Sequence, residues 1–233
     1  MHKSFNANLQ AYRGWAIFCV IGFHSFVRWM PPKNPLNLYP WTFPETVPNL
    51  FRYGYLGVNL FFMISGFVIT QSLEKSKSIF EFWIKRFARI WPSLTIIISA
   101  LYVLGHTYRL NENSGIDTSP QALFSSITLI DPRIISIFLS NFASASWVSG
   151  VLWSLAVEIS FYFLISILFH IIHSVYTKYI FYVFLGIFCL NSIDLINPNF
   201  FAAHGSLDSI LILRHYIFWF YIGLISYRCI NNC

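Results

Sequence analysis

The sequence predicts an all-α fold: a polytopic bundle of about six to seven transmembrane helices, forming one domain over residues 1–233. Two observations carry that expectation. Hydrophobic residues make up 56% of the chain and charged residues only 10%, against about 25% charged in an ordinary soluble domain. The apolar residues are also grouped into runs that reach the roughly 17 to 25 residues needed to cross hydrocarbon as a helix. A helix is the form such a run takes, because in lipid each backbone N–H and C=O must be satisfied within the segment. The aromatic share of 20%, with 25 Phe, 13 Tyr and 8 Trp, fits side chains that face lipid or sit at its boundary.

The first run, residues 9–29, has Lys3 and Arg13 at its start as a signal peptide would, but no small-x-small cleavage pattern follows. It is expected to be a retained span. Five further spans are expected at residues 55–73, 87–106, 148–170, 179–196 and 210–229. A seventh apolar stretch, residues 122–139, is interrupted by Asp131, Pro132 and Arg133 and is expected to be interfacial or re-entrant. With the N-terminus in the cytoplasm, residues 72–89 lie on the cytoplasmic side. They hold Lys75, Lys77, Lys85, Arg86 and Arg89, the densest basic cluster in the chain, as the positive-inside rule asks. Residues 30–54 and 107–147 then face the other side. Pro and aromatics in the first, and Asn, Ser and Asp in the second, read as irregular surface loops. The expected location is the inner (plasma) membrane, crossed several times.

The net charge of +6 would suggest nucleic acid in a soluble protein. Here it sits on a few Lys and Arg positions between apolar runs, so the partner it implies is the lipid bilayer, and nucleic acid is discounted. Cys19, Cys189, Cys229 and Cys233 form no CxxC pair and have no His at ligand spacing, so neither a disulfide framework nor a metal site is expected.

An ionisable group inside a span is costly and marks a functional hypothesis. Arg13 and His24 are 11 residues apart, about three helical turns, which puts both on one face with ~16 Å between them. The structural alternative is an Arg13 that snorkels to the interface and a His24 hydrogen-bonded in the interior. In the second span Gly57, Ser65 and Gly66 would let helices approach closely, and Asn59 offers an amide within the apolar run. Arg86 and Arg89, at i and i+3, could grip a phosphate together or merely anchor the helix on the positive side. Glu158 follows Trp153 and Ser154 into a strongly apolar run, where a carboxylate needs a partner or a proton.

These residues, in this order, resemble the large integral-membrane acyltransferase family that includes O-antigen, exopolysaccharide and peptidoglycan O-acetylases. Residues 9–25, with Arg13, ten residues and then His24, resemble its opening span. Residues 54–70 resemble its second-span signature, Arg86 to Arg89 its Arg-x-x-Arg motif, and residues 152–163 its Trp-Ser-Leu-x-Val-Glu block. Residues 220–224 more weakly resemble a later Phe-Leu-Leu-Gly element. Two departures stand out. Many relatives carry Asp where this chain has Asn59, and the family has about ten spans where six are counted here, so a fragment or truncated product is expected.

The resemblance implies transfer of an acyl group, most simply acetyl, from a cytosolic acyl-CoA to a hydroxyl of a cell-surface carbohydrate or glycoconjugate such as lipopolysaccharide. Succinyl or longer donors are an alternative. His24 is the expected base, with Glu158 as the second catalytic group. Arg13, Arg86 and Arg89 are expected at the donor, and Asn59, Ser65, Trp153 and Ser154 around the site. Acyl-CoA enters as a substrate, and no bound cofactor or metal is expected. Tyr39, Trp41 and Tyr53 could stack a sugar or serve as interfacial anchors. A transporter with His24 and Glu158 along a polar path is the rival reading; it would call for pseudo-symmetric halves, and the sequence shows no such symmetry.

Overall fold

The computed structural model describes residues 2–28, 49–108, 116–142, 146–171, 179–187, 189 and 215–232. In chain order the helices are α1 (His2–Phe23), running into a π-helical turn (His24–Arg28), α2 (Asn49–Arg52), α3 (Leu56–Lys75), α4 (Ile79–Thr107), α5 (Pro120–Thr128), α6 (Pro132–Ser136), α7 (Trp153–Ile171) and α8 (Ile217–Asn232). Residues 179–187 are also helical. Among the described residues extended pairing is limited to an isolated antiparallel bridge between Ile116 and Ser149. The all-α expectation therefore stands.

Leu56–Lys75, Ile79–Thr107 and Gly150–Ile171 are long and apolar enough to cross a membrane. They correspond to the second, third and fourth expected spans. The first expected span is helical up to Arg28, changing from α to π at His24, but is not among the helices apolar enough to cross. The fifth and sixth lie partly outside the described residues. At 16 residues, α8 falls just short of the roughly 17 needed to cross.

Two segments between the expected spans hold more helix than the spans alone. The helix of the third expected span begins at Ile79, eight residues before residue 87, so α3 and α4 are joined by residues 76–78 alone. Most of the basic cluster therefore rides on helix. Ser78 Oγ accepts from Glu81 N–H at 3.1 Å, and the Glu81 carboxylate accepts from Lys77 N–H at 2.8 Å and from Lys85 Nζ at 2.6 Å. Those bonds satisfy N–H groups at the start of the helix and fix it ahead of the apolar run. The described part of segment 107–147 likewise carries short helices. Ser119 caps α5, accepting from Ala122 N–H at 3.1 Å, and Pro120 occupies the first helical position, where its missing N–H costs nothing. Leu129, at φ 57°, ends α5 in a left-handed conformation, and α6 starts at Pro132. With 9 and 5 residues, neither can cross.

The chain divides into two compact units, Met1–Val68 with Trp219–Cys233, and Ile69–Phe218. In the first, α1 packs antiparallel to α3, with Gly57 against the Ala16 carbonyl and Arg13 against Ser65. The same α3 packs parallel to α8. Gly66 lies against the Phe220 carbonyl and Gly223 against that of Met63, while Phe62 stacks on Phe220 with ring centroids 4.8 Å apart. Helices without Cβ atoms at the crossing approach backbone to backbone, which is how apolar helices gain contact where water exclusion cannot drive them together.

In the second unit α4 packs antiparallel to α7. Trp83 Nε1 donates to Ser166 Oγ at 3.3 Å near one end, and Leu94, Ile98 and Leu152 share a buried cluster near the other with Ala122, Leu129 and Val148. The approach to α7 is held by Asp117. Its carboxylate accepts from Ser119 N–H at 2.8 Å, Ser146 N–H at 3.1 Å and Ser146 Oγ at 2.9 Å, while Val148 N–H donates to Ser126 Oγ at 2.9 Å. Burial pushes the Asp117 carboxyl up, but these donors outweigh burial and hold it below the ordinary value of 3.8.

Two outcomes follow. Ala at Gly66 should destabilise the detergent-solubilised protein by about 1–3 kcal/mol, because its Cβ meets backbone that must move. Ala at Gly14, where a Cβ would meet nothing within 4 Å, should be neutral or stabilising by up to about 1 kcal/mol through helix propensity. Thermal unfolding of both variants checks this. The depressed Asp117 value means that its stabilisation is present above 3.8 and is lost as pH falls through the lower folded value. Asp117→Asn should remove that part of the acid sensitivity and lower stability at neutral pH.

Candidate functional site

The expected site residues fall four on the first unit and five on the second. On the first, Arg13 is buried at 6% exposure. Its Nη2 donates to Ser65 Oγ at 2.7 Å and its guanidinium lies over the Phe61 ring at 4.8 Å. The snorkelling alternative is therefore replaced by a cation held inside the α1–α3 pair. Ser65 and Arg13, chosen separately from the sequence, meet; Phe61, four residues before Ser65 and on the same helical face, was not singled out.

His24 is the first residue of the π-helical turn, half-buried, with its ring edge-on to Phe23 at 5.6 Å. The α-helical register that relates it to Arg13 runs unbroken to Phe23, and the wider turn begins at the imidazole. Turns of this kind recur at functional positions because they re-aim side chains. Asn59 is half-buried on α3.

On the second unit Glu158 is buried at 4% exposure within α7. Tyr162, one turn further on the same face, donates its hydroxyl to Glu158 Oε1 at 2.6 Å. The Arg86 guanidinium lies over the Tyr162 ring and over the Phe82 ring, 5.4 Å from each centroid. Arg86 itself is 5% exposed. Arg89, three residues on, has different surroundings: it is exposed and lines a groove of about 390 Å³ between α4 and the start of α7, whose walls include Ser93, Leu94, Ile97, Leu101 and Leu155. One residue of the Arg pair thus lies against Tyr162 of α7 and Phe82 of α4 and the other faces open space, because i and i+3 positions are offset around the helix by about 60°.

Trp153 packs on Tyr216 at 5.1 Å, and Ser154 Oγ donates to the Val151 carbonyl at 3.1 Å, closing the first turn of α7. Tyr53 is exposed; Tyr39 and Trp41 lie outside the described residues. Tyr162 and Phe82 escaped the sequence reading, although Tyr162 stands four residues after Glu158 and Phe82 four before Arg86, the spacing at which helical side chains meet.

Comparison with known proteins places this geometry in context. The family described as acyltransferase domain matches residues 6–231. Nodulation protein 10 of Rhizobium leguminosarum bv. viciae is 32% identical over 164 residues, covering 66% of this chain and 41% of that protein. Peptidoglycan O-acetyltransferase OatA of Listeria monocytogenes is 26% identical over 168 residues, 69% of this chain and 23% of OatA. Acyltransferase MdmB of Streptomyces mycarofaciens is 29% identical over 113 residues, 47% of this chain and 27% of its own. The chain thus spans between 23% and 41% of the length of these curated relatives. No solved structure matches it.

Proposed function

The chain belongs to this acyltransferase family, and we propose that it serves a membrane-embedded O-acyltransferase that moves an acyl group, most simply acetyl, from acyl-CoA to a carbohydrate hydroxyl. Acetyl and a glycan acceptor are supported by the relative named as a peptidoglycan O-acetyltransferase. The observation that carries the donor side is the groove between α4 and α7, with the exposed Arg89 guanidinium on its wall and apolar side chains along its length. A planar guanidinium makes paired, charge-assisted bonds to phosphate, and the apolar walls suit a thioester arm.

In the transfer, the acceptor oxygen attacks the thioester carbonyl carbon and the carbon–sulfur bond breaks. The hydroxyl proton passes to an imidazole nitrogen of His24 and then to the departing thiolate. Neutral imidazole suits this step, since its unperturbed pKa of about 6.5 lies close to neutral pH. Arg13, fixed to α3 through Ser65, orients the helix that carries His24. Glu158 is assigned to the acceptor or to imidazole orientation. The membrane is the inner one, and the N-terminus and Arg89 lie on its cytoplasmic side, where acyl-CoA is made.

His24→Ala should abolish transfer of label from labelled acetyl-CoA into membrane glycan, with insertion unchanged; near-normal transfer would remove His24 from the chemistry. Arg89→Ala should raise the donor KM about tenfold or more with little change in kcat, the signature of lost uniform binding. Arg89→Lys should recover part of it. Steady-state kinetics in membranes checks both.

A further inference from the structure

A carboxylic acid on an apolar helix can point in several directions, and α7 by itself does not choose among them. The choice is made by its neighbours in the folded chain. Tyr162 donates to Glu158 Oε1 at 2.6 Å. Rotation of the Tyr162 ring is in turn limited by Phe82, edge-on at 6.2 Å, and by the Arg86 guanidinium over its face. Phe82, Arg86, Glu158 and Tyr162 are all at most 5% exposed, so the arrangement is enclosed by protein and not set by solvent.

We propose that Tyr162 and Arg86 are positioning residues for Glu158, and that the two arginines of the Arg-x-x-Arg pair therefore have separate tasks. Tyr162 occupies one carboxylate oxygen and so sets the plane of the carboxyl group. Arg86 holds the Tyr162 ring in the orientation that makes this bond, and its positive charge lies within the same buried cluster as the carboxyl group. Arg89 alone contacts the donor. The consequence for transfer rests on the function proposed above; the fixing of Glu158 does not.

Kinetics separates this from a donor role for Arg86. Tyr162→Phe keeps the ring and removes the hydroxyl, so kcat should fall about tenfold or more, as for loss of a charge-assisted hydrogen bond, with donor KM within about twofold. Arg86→Lys, which keeps the charge and loses the planar stack, should also lower kcat and spare donor KM, opposite to Arg89→Ala. A rise in donor KM for Arg86→Lys at unchanged kcat, or an unaltered kcat in correctly inserted Tyr162→Phe, would overturn the proposal.

A second measurement does not depend on activity. Thermal unfolding of purified wild type, Tyr162→Phe, Glu158→Ala and the double variant forms a cycle. Non-additive shifts show that the two side chains act as one unit. Additive shifts overturn the positioning role even where kcat falls, since the variants would then be merely destabilised. If wild type transfers nothing, the proposed function fails, and the cycle alone still decides whether Tyr162 fixes Glu158.

Discussion

Glu158 sits on a helix whose flanking residues are apolar, and at 4% exposure it has no water to fall back on. A polar group desolvated in this way must be bonded within the protein or cost several kcal/mol. That requirement organises the second unit. It places Tyr162 one turn along α7, brings the buried face of α4 with Phe82 and Arg86 against it, and so sets the antiparallel register that also opens the groove beside Arg89. The first unit answers the same requirement differently. Arg13 donates to Ser65 and lies over the face of Phe61, which ties α1 to α3.

Between these polar anchors the helices are held by shape. Small residues occupy the closest approaches, Gly57 of α3 against α1 and Gly66 with Gly223 between α3 and α8. The driving force is contact and not water release, since lipid tails are as apolar as the side chains. Outside the helical layer, conventional water-side chemistry returns, with the Asp117 carboxylate collecting three donors and Ser119 capping α5.

The sequence alone determined the solvent and the class of structure. Runs of apolar residues in a chain 10% charged call for helices in a lipid setting, and three of those runs form helices long and apolar enough to cross; the isolated Arg13, His24 and Glu158 mark the places where function is to be sought. Helix starts were legible too, but only through caps: Ser78 with Glu81, and Ser119 with Pro120, fix boundaries that a search for apolar runs passes over, because hydropathy reports preference for lipid and not hydrogen bonding. What the tertiary structure decided was which partner each buried polar group meets. Spacing at i and i+3 leaves Arg86 and Arg89 equivalent, and spacing at i and i+4 makes Tyr162 one of several neighbours available to Glu158. The choice comes from the face of α4 that packs on α7, burying Arg86 among aromatic rings and leaving Arg89 on the groove. Local periodicity sets the direction of a side chain relative to its own helix; only the packing of a second helix supplies what lies in that direction.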